Sequence, residues 1–126
     1  MNNYPKITIG CVDNIYSRMM HFEKSGDVEQ GHAHQYDHLT LLASGKLKIK
    51  IKEKVTEYSA PYMIFIHKDV QHELTALEDN TVAYCIHVLK DVNTGKILDS
   101  KMIPNGINIL SASAPLINLN VPKLNP

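Results

Sequence analysis

Three of the seven histidines of this 126-residue chain lie within seven residues, as His32-Ala33-His34 followed by His38. On a β-strand the side chains at i and i+2 point to the same face. His32 and His34 can therefore meet above a sheet, and His38 keeps their parity and joins them if the strand curves. Imidazole is a neutral ligand suited to iron, nickel, copper and zinc, so this spacing predicts a metal site. His87, Tyr36 and Tyr84 are candidate groups for proton transfer or substrate anchoring. His67, Asp37 and Glu73 read as solvent-facing, and no nucleophile stands beside a base.

The elements that must position these residues are strands. In Lys46-Leu47-Lys48-Ile49-Lys50-Ile51-Lys52 every odd position is apolar and every even one is lysine, which predicts one buried and one wet face. Further strands are predicted near Lys6–Gly10, Ser17–Glu23, Gln30–His34, His38–Leu42, Thr56–Tyr58, Tyr62–His67, His72–Ala76 and Thr81–Leu89. Asp13 to Met20 reads equally as a helical turn or a strand. Turn signals at Ser25-Gly26-Asp27, Ser44-Gly45-Lys46, Lys68-Asp69 and Glu78-Asp79-Asn80 separate the strands. Many short strands with regular punctuation predict an all-β sandwich or barrel.

Length and composition bound the function. The chain is long enough for one domain with a real core. Thirteen basic residues balance thirteen acidic ones, which argues against binding nucleic acid or an anionic membrane surface. No apolar run approaches the roughly 20 residues of a membrane-spanning helix. Met1 to Gly10 has no apolar stretch of the signal-peptide kind, so the expected compartment is the cytoplasm. Cys11 and Cys85 form no CxxC pattern and read as two buried free thiols.

From Pro104 the pattern changes. Residues 1–105 read as the barrel domain, and residues 106–126 as an extended, proline-containing tail. Ile107, Ile109, Leu110, Leu116, Ile117, Leu119 and Val121 make that tail too apolar to stand free. It is expected to pack on the barrel or on a second copy, in a homodimer with barrel edges or tails exchanged.

The spacing Gly26, five residues, His32-x-His34, three residues, His38, six residues, Gly45 resembles the first motif of the cupins, with His38 where the family usually has Glu. The second motif is matched weakly, by His72, with Asp69 at the place of a turn glycine. The resemblance implies a single-domain cupin-type jelly-roll β-barrel. By position it implies His32, His34, His38 and His72 as ligands of one divalent transition metal.

Four neutral ligands leave the 2+ charge uncompensated, which favours Fe(II) over Fe(III) and an anionic substrate; nickel, manganese, zinc and copper are the other candidates. The function implied is a small metalloenzyme acting on a small anionic organic compound. Dioxygenase-like oxidoreduction with Fe(II) is placed ahead of metal-assisted isomerase or lyase chemistry. The alternatives are a non-catalytic small-molecule or metal-sensing module, or a barrel whose metal is structural.

Overall fold

The computed structural model describes residues 3–98 and 110–111, with His32, Leu110 and Ser111 described by their backbone alone. Ten strands follow in chain order: β1 Lys6–Val12, β2 Ile15–Phe22, β3 Val28–His32, β4 His38–Ser44, β5 Lys46–Ile51, β6 Lys54–Ser59, β7 Tyr62–Ile66, β8 His72–Ala76, β9 Thr81–Val88 and β10 Leu110–Ser111. They form a six-stranded sheet, β10-β1-β2-β9-β4-β7, facing a four-stranded sheet, β3-β8-β5-β6. All pairs are antiparallel except the short parallel pair β1–β10, which sets Gly10 opposite Leu110. There is no helix among the described residues. The segment that read as turn or strand is strand: a two-residue turn at Asp13-Asn14, with Asp13 at φ 51°, joins β1 to β2.

Alternation decides which residues meet between the sheets. From β5, Leu47 and Ile49 turn inward; from β8, Leu74 and Ala76; from β4, Leu42; from β2, Met20 and Phe22; all are buried in one cluster. The lysines of β5 face outward, as its period of two requires.

The register lays the inner face of the large sheet out in rows. One row runs Cys11–Tyr16–His87 across β1, β2 and β9. The next runs Ile9–Arg18–Cys85–Thr40–Ile64 across β1, β2, β9, β4 and β7. Ile7–Met20–Ala83–Leu42 follows. Polar groups therefore gather toward one end of the sandwich, while Met20, Phe22 and aliphatic side chains fill most of the rest, with the buried Thr81 at the far end.

The outer faces differ. The small sheet turns Lys46, Lys50 and Glu57 to solvent. The large sheet instead exposes Val12, Ile15, Met63, Phe65 and Val88, each 46–59% accessible. Most of the tail lies outside the described residues, as does the expected boundary at residue 105.

Candidate functional site

Three of the predicted histidines come together at the polar end of the sandwich. The ring centroids of His34 and His38 are 5.3 Å apart, those of His34 and His72 5.6 Å, and those of His38 and His72 5.1 Å. His38 opens β4 and His72 opens β8; both are buried, at 3% and 4% accessible. The backbone of His32 ends β3 directly opposite His72.

The route by which the histidines meet differs from simple alternation. β3 stops at His32, so His34 lies in the loop before β4 rather than on the predicted strand. A register shift between Glu29 and His32 adds a residue to β3 and brings His32 opposite His72. Gly31 lies in this irregularity. A Cβ there would sit 2.5 Å from the His72 carbonyl oxygen, so only glycine lets β3 approach so closely. The loop is pinned to the β7–β8 turn. The Asp69 N–H donates to the His34 carbonyl at 2.6 Å, and the Lys68 N–H donates to the Asp37 carboxylate at 2.7 Å. Asp69 is at φ 61°, the left-handed conformation that the glycine of a tight turn would otherwise supply. Asp37, read as merely solvated, is thus a loop anchor.

Neighbouring groups set the ring orientations. The Nδ1 of His72 is 3.0 Å from the Val70 carbonyl, which can only accept, so Nδ1 carries the proton. The neutral ring then bears its lone pair on Nε2, the arrangement found in metal-ligating histidines. His34 Nδ1 is hydrogen-bonded to the Tyr36 hydroxyl at 2.9 Å, and the two rings stack with centroids 4.7 Å apart. His87 lies between two tyrosines, with centroids 4.2 Å from Tyr36 and 4.5 Å from Tyr16. Its Nδ1 donates to the Val88 carbonyl at 2.8 Å. The ring centroids of His87 and His38 are 6.4 Å apart, so a fourth imidazole stands beside the trio.

Tyr84 is not brought to this cluster. It alternates with the inward Ala83 and Cys85 and pairs with Met19 and Leu41 on the outer face of the large sheet. His67 is exposed, in edge contact with Phe65. Cys11 and Cys85 are free thiols. Burial pushes the Cys85 thiol up to about 11, against the pull of its Thr40 hydrogen bond at 3.8 Å.

The sequence reading missed an ion pair between the sheets. Arg18 Nη1 donates to Glu29 Oε1 at 2.8 Å, with the side chains 24% and 14% accessible. The available signal was an arginine on the apolar parity of Tyr16, Met20 and Phe22. The partner was hidden because strand pairing between sheets is not written in local alternation.

Three imidazoles are donors of the kind a transition metal takes. Ring centroids 5.1–5.6 Å apart place a common centre about 3 Å from each, close to where a metal–nitrogen bond of about 2.0–2.1 Å would put it. Among the described residues no group of three or more His, Cys, Asp or Glu side chains is placed to hold a metal ion, and the His32 side chain is not among those described. No described helix is long and apolar enough to cross a membrane.

No protein-family model and no curated protein matches this sequence. Solved structures do match. A cupin 2 domain-containing protein from Halorhodospira halophila superposes with a TM-score of 0.61 at 15% identity, covering 79% of this chain and 73% of the other. A cupin-2 domain protein from Shewanella frigidimarina gives 0.57 at 19%, covering 70% and 84%. KdgF from Halomonas sp. gives 0.55 at 15%, covering 64% and 74%. Two facing, almost wholly antiparallel sheets superpose on these structures, so the chain has a cupin-type jelly-roll fold.

Proposed function

We propose that this chain is a small metal-dependent enzyme acting on a small anionic organic compound. In this reading His32, His34, His38 and His72 hold one divalent transition metal at the polar end of the barrel. The observation that carries it is the convergence of His34, His38 and His72 from a loop and two strand starts, with the His72 lone pair directed to Nε2 by Val70. Bound there, the metal supplies Lewis acidity and, as Fe(II), redox capacity. The protein groups supply the rest. Tyr36 fixes the orientation of His34. His87, held between Tyr16 and Tyr36, is the group assigned to accept or return a substrate proton.

An all-histidine set favours Fe(II), with dioxygenase-like chemistry placed ahead of isomerisation or elimination. The test is reconstitution of metal-free protein with Fe(II) and, separately, zinc. One ion per chain is expected, with His87→Ala retaining the ion. A chain that takes up neither ion specifically contradicts the reading.

His38→Glu tests the charge argument. The variant is expected to retain metal and to bind small carboxylates about tenfold less tightly, because the added negative charge offsets one unit of the metal's. Titration of both proteins with oxalate measures this; equal affinities would remove the charge argument.

The exposed, uncharged face formed by Val12, Ile15, Met63, Phe65 and Val88 supports a two-fold homodimer packed through the large sheets. A second copy offers the same apolar surface, whereas the lysine-bearing face of the small sheet does not. Light scattering is expected to give a dimer at micromolar concentration and a monomer for the Met63→Lys/Phe65→Lys double variant. A monomeric parent chain would contradict it.

A further inference from the structure

Two charged side chains stand where alternation calls for apolar ones. On β2 the inward positions beside Arg18 are Tyr16 and Met20, 2% and 0% accessible. On β3, Glu29 sits opposite Leu74, which is 2% accessible. The Arg18–Glu29 pair thus spans the gap between the sheets. Removing two charges from water costs several kcal/mol per ion, and apolar residues of similar volume commonly stabilise such a position as well or better. Holding the sheets together is therefore a poor reason for an ion pair at this point.

Its location supplies a better one. Arg18 is one row from the Tyr16–His87 row and pairs with Cys85, which pairs with Thr40. The next inward row, Ile7–Met20–Ala83–Leu42, is apolar. The guanidinium has five N–H donors, and its one hydrogen bond among the described residues uses Nη1. Glu29 holds it in place from one side. The remaining donors suit a second carboxylate, which a guanidinium grips through two parallel hydrogen bonds.

We propose that Arg18, positioned by Glu29, is the carboxylate-binding residue of the barrel interior. The inference rests on the histidine-held metal proposed above, which takes the other end of the same molecule. Arg18 and His38 lie one inward row, about 7 Å, and two strands, about 10 Å, apart, a gap that the long arginine and the imidazole partly close, so the ligand is a short acid with a second oxygen function several bonds from its carboxylate. A four-carbon dicarboxylate has that reach.

The test is titration of the full chain with succinate, zinc-loaded and metal-free, followed by NMR of the Arg18 Nε–H and backbone amides. Zinc content is measured on the same samples. The variants are Arg18→Gln, Arg18→Lys and the double variant Arg18→Gln/Glu29→Gln, which leaves a neutral hydrogen-bonding pair in place of a lone carboxylate.

Succinate is expected to move the Arg18 Nε–H signal in the parent. Binding should fall about tenfold or more in Arg18→Gln and in the double variant, and recover partly in Arg18→Lys, all with parental zinc content. A double variant that binds succinate as tightly as the parent overturns the proposal. So does a zinc-loaded parent that does not bind succinate, or binds it without moving the Arg18 signal. A parent that takes no zinc but still binds succinate through Arg18 removes the metal reading and leaves the arginine's role standing.

Discussion

Replacing His72 by Ala is expected to lower metal affinity about a hundredfold or more while leaving the barrel folded. Loss of a group that merely orients a ligand costs about 10–100-fold, and loss of a ligand costs at least as much. His72 is 5.1 Å from His38 and 5.6 Å from His34 by ring centroid, so its removal opens one side of the trio. The structural cost is smaller. The ring gives up one hydrogen bond to Val70 and leaves space beside His38, a destabilisation of about 1–3 kcal/mol. His67→Ala is the control, because that ring is exposed on the β7–β8 turn. Metal analysis after reconstitution, with circular dichroism to confirm folding, separates the outcomes. Full occupancy in His72→Ala would mean that the histidines gather for some other reason.

Gly45→Ala is expected to destabilise the barrel by about 3 kcal/mol or more, lowering the thermal midpoint by about 10 °C or more. Gly45 joins β4 to β5 at φ +81°, where a Cβ is strained whatever the space. That Cβ would also lie 2.3 Å from the Thr81 hydroxyl oxygen and 2.9 Å from the Thr81 Cα. Thr81 cannot yield easily. It is fully buried, and its hydroxyl lies 2.9 Å from the Glu78 carbonyl and 3.2 Å from that of Lys46. The turn is held from the other side, because the Gly45 carbonyl accepts from the Ala60 N–H at 3.0 Å. Gly10→Ala, where a Cβ meets nothing within 4 Å, is expected to change stability by less than about 1 kcal/mol. Thermal unfolding of the two variants measures the contrast; equal midpoints would mean that the β4–β5 turn adapts at little cost.

Strand alternation made most of the fold legible, because a period of two is a local property. Lys46 to Lys52 announces its buried face directly, and Leu47 and Ile49 occupy it. The histidine spacing pointed to the right neighbourhood by a partly different route. Parity implied one strand carrying His32 and His34, whereas an irregular β3 and a pinned loop bring His34 to His38 and His72. His87 and Tyr36 join the cluster and Tyr84 does not. The sign of that difference depends on which face of β9 turns inward, and Thr81 to Val88 is apolar enough on both faces to hide it. Arg18 and Glu29 were illegible for a further reason: their contact depends on how two sheets stack, which no single segment encodes.

The most direct test of the account is X-ray absorption at the metal edge of the reconstituted 126-residue chain. The prediction is a first shell of three to four nitrogens, at about 2.0–2.1 Å for zinc, with the outer-shell scattering of imidazole rings. That shell should lose a ring in His34→Ala. A shell made of sulfur from Cys85, or of oxygens without imidazole scattering, would contradict the claim that these histidines form a metal centre.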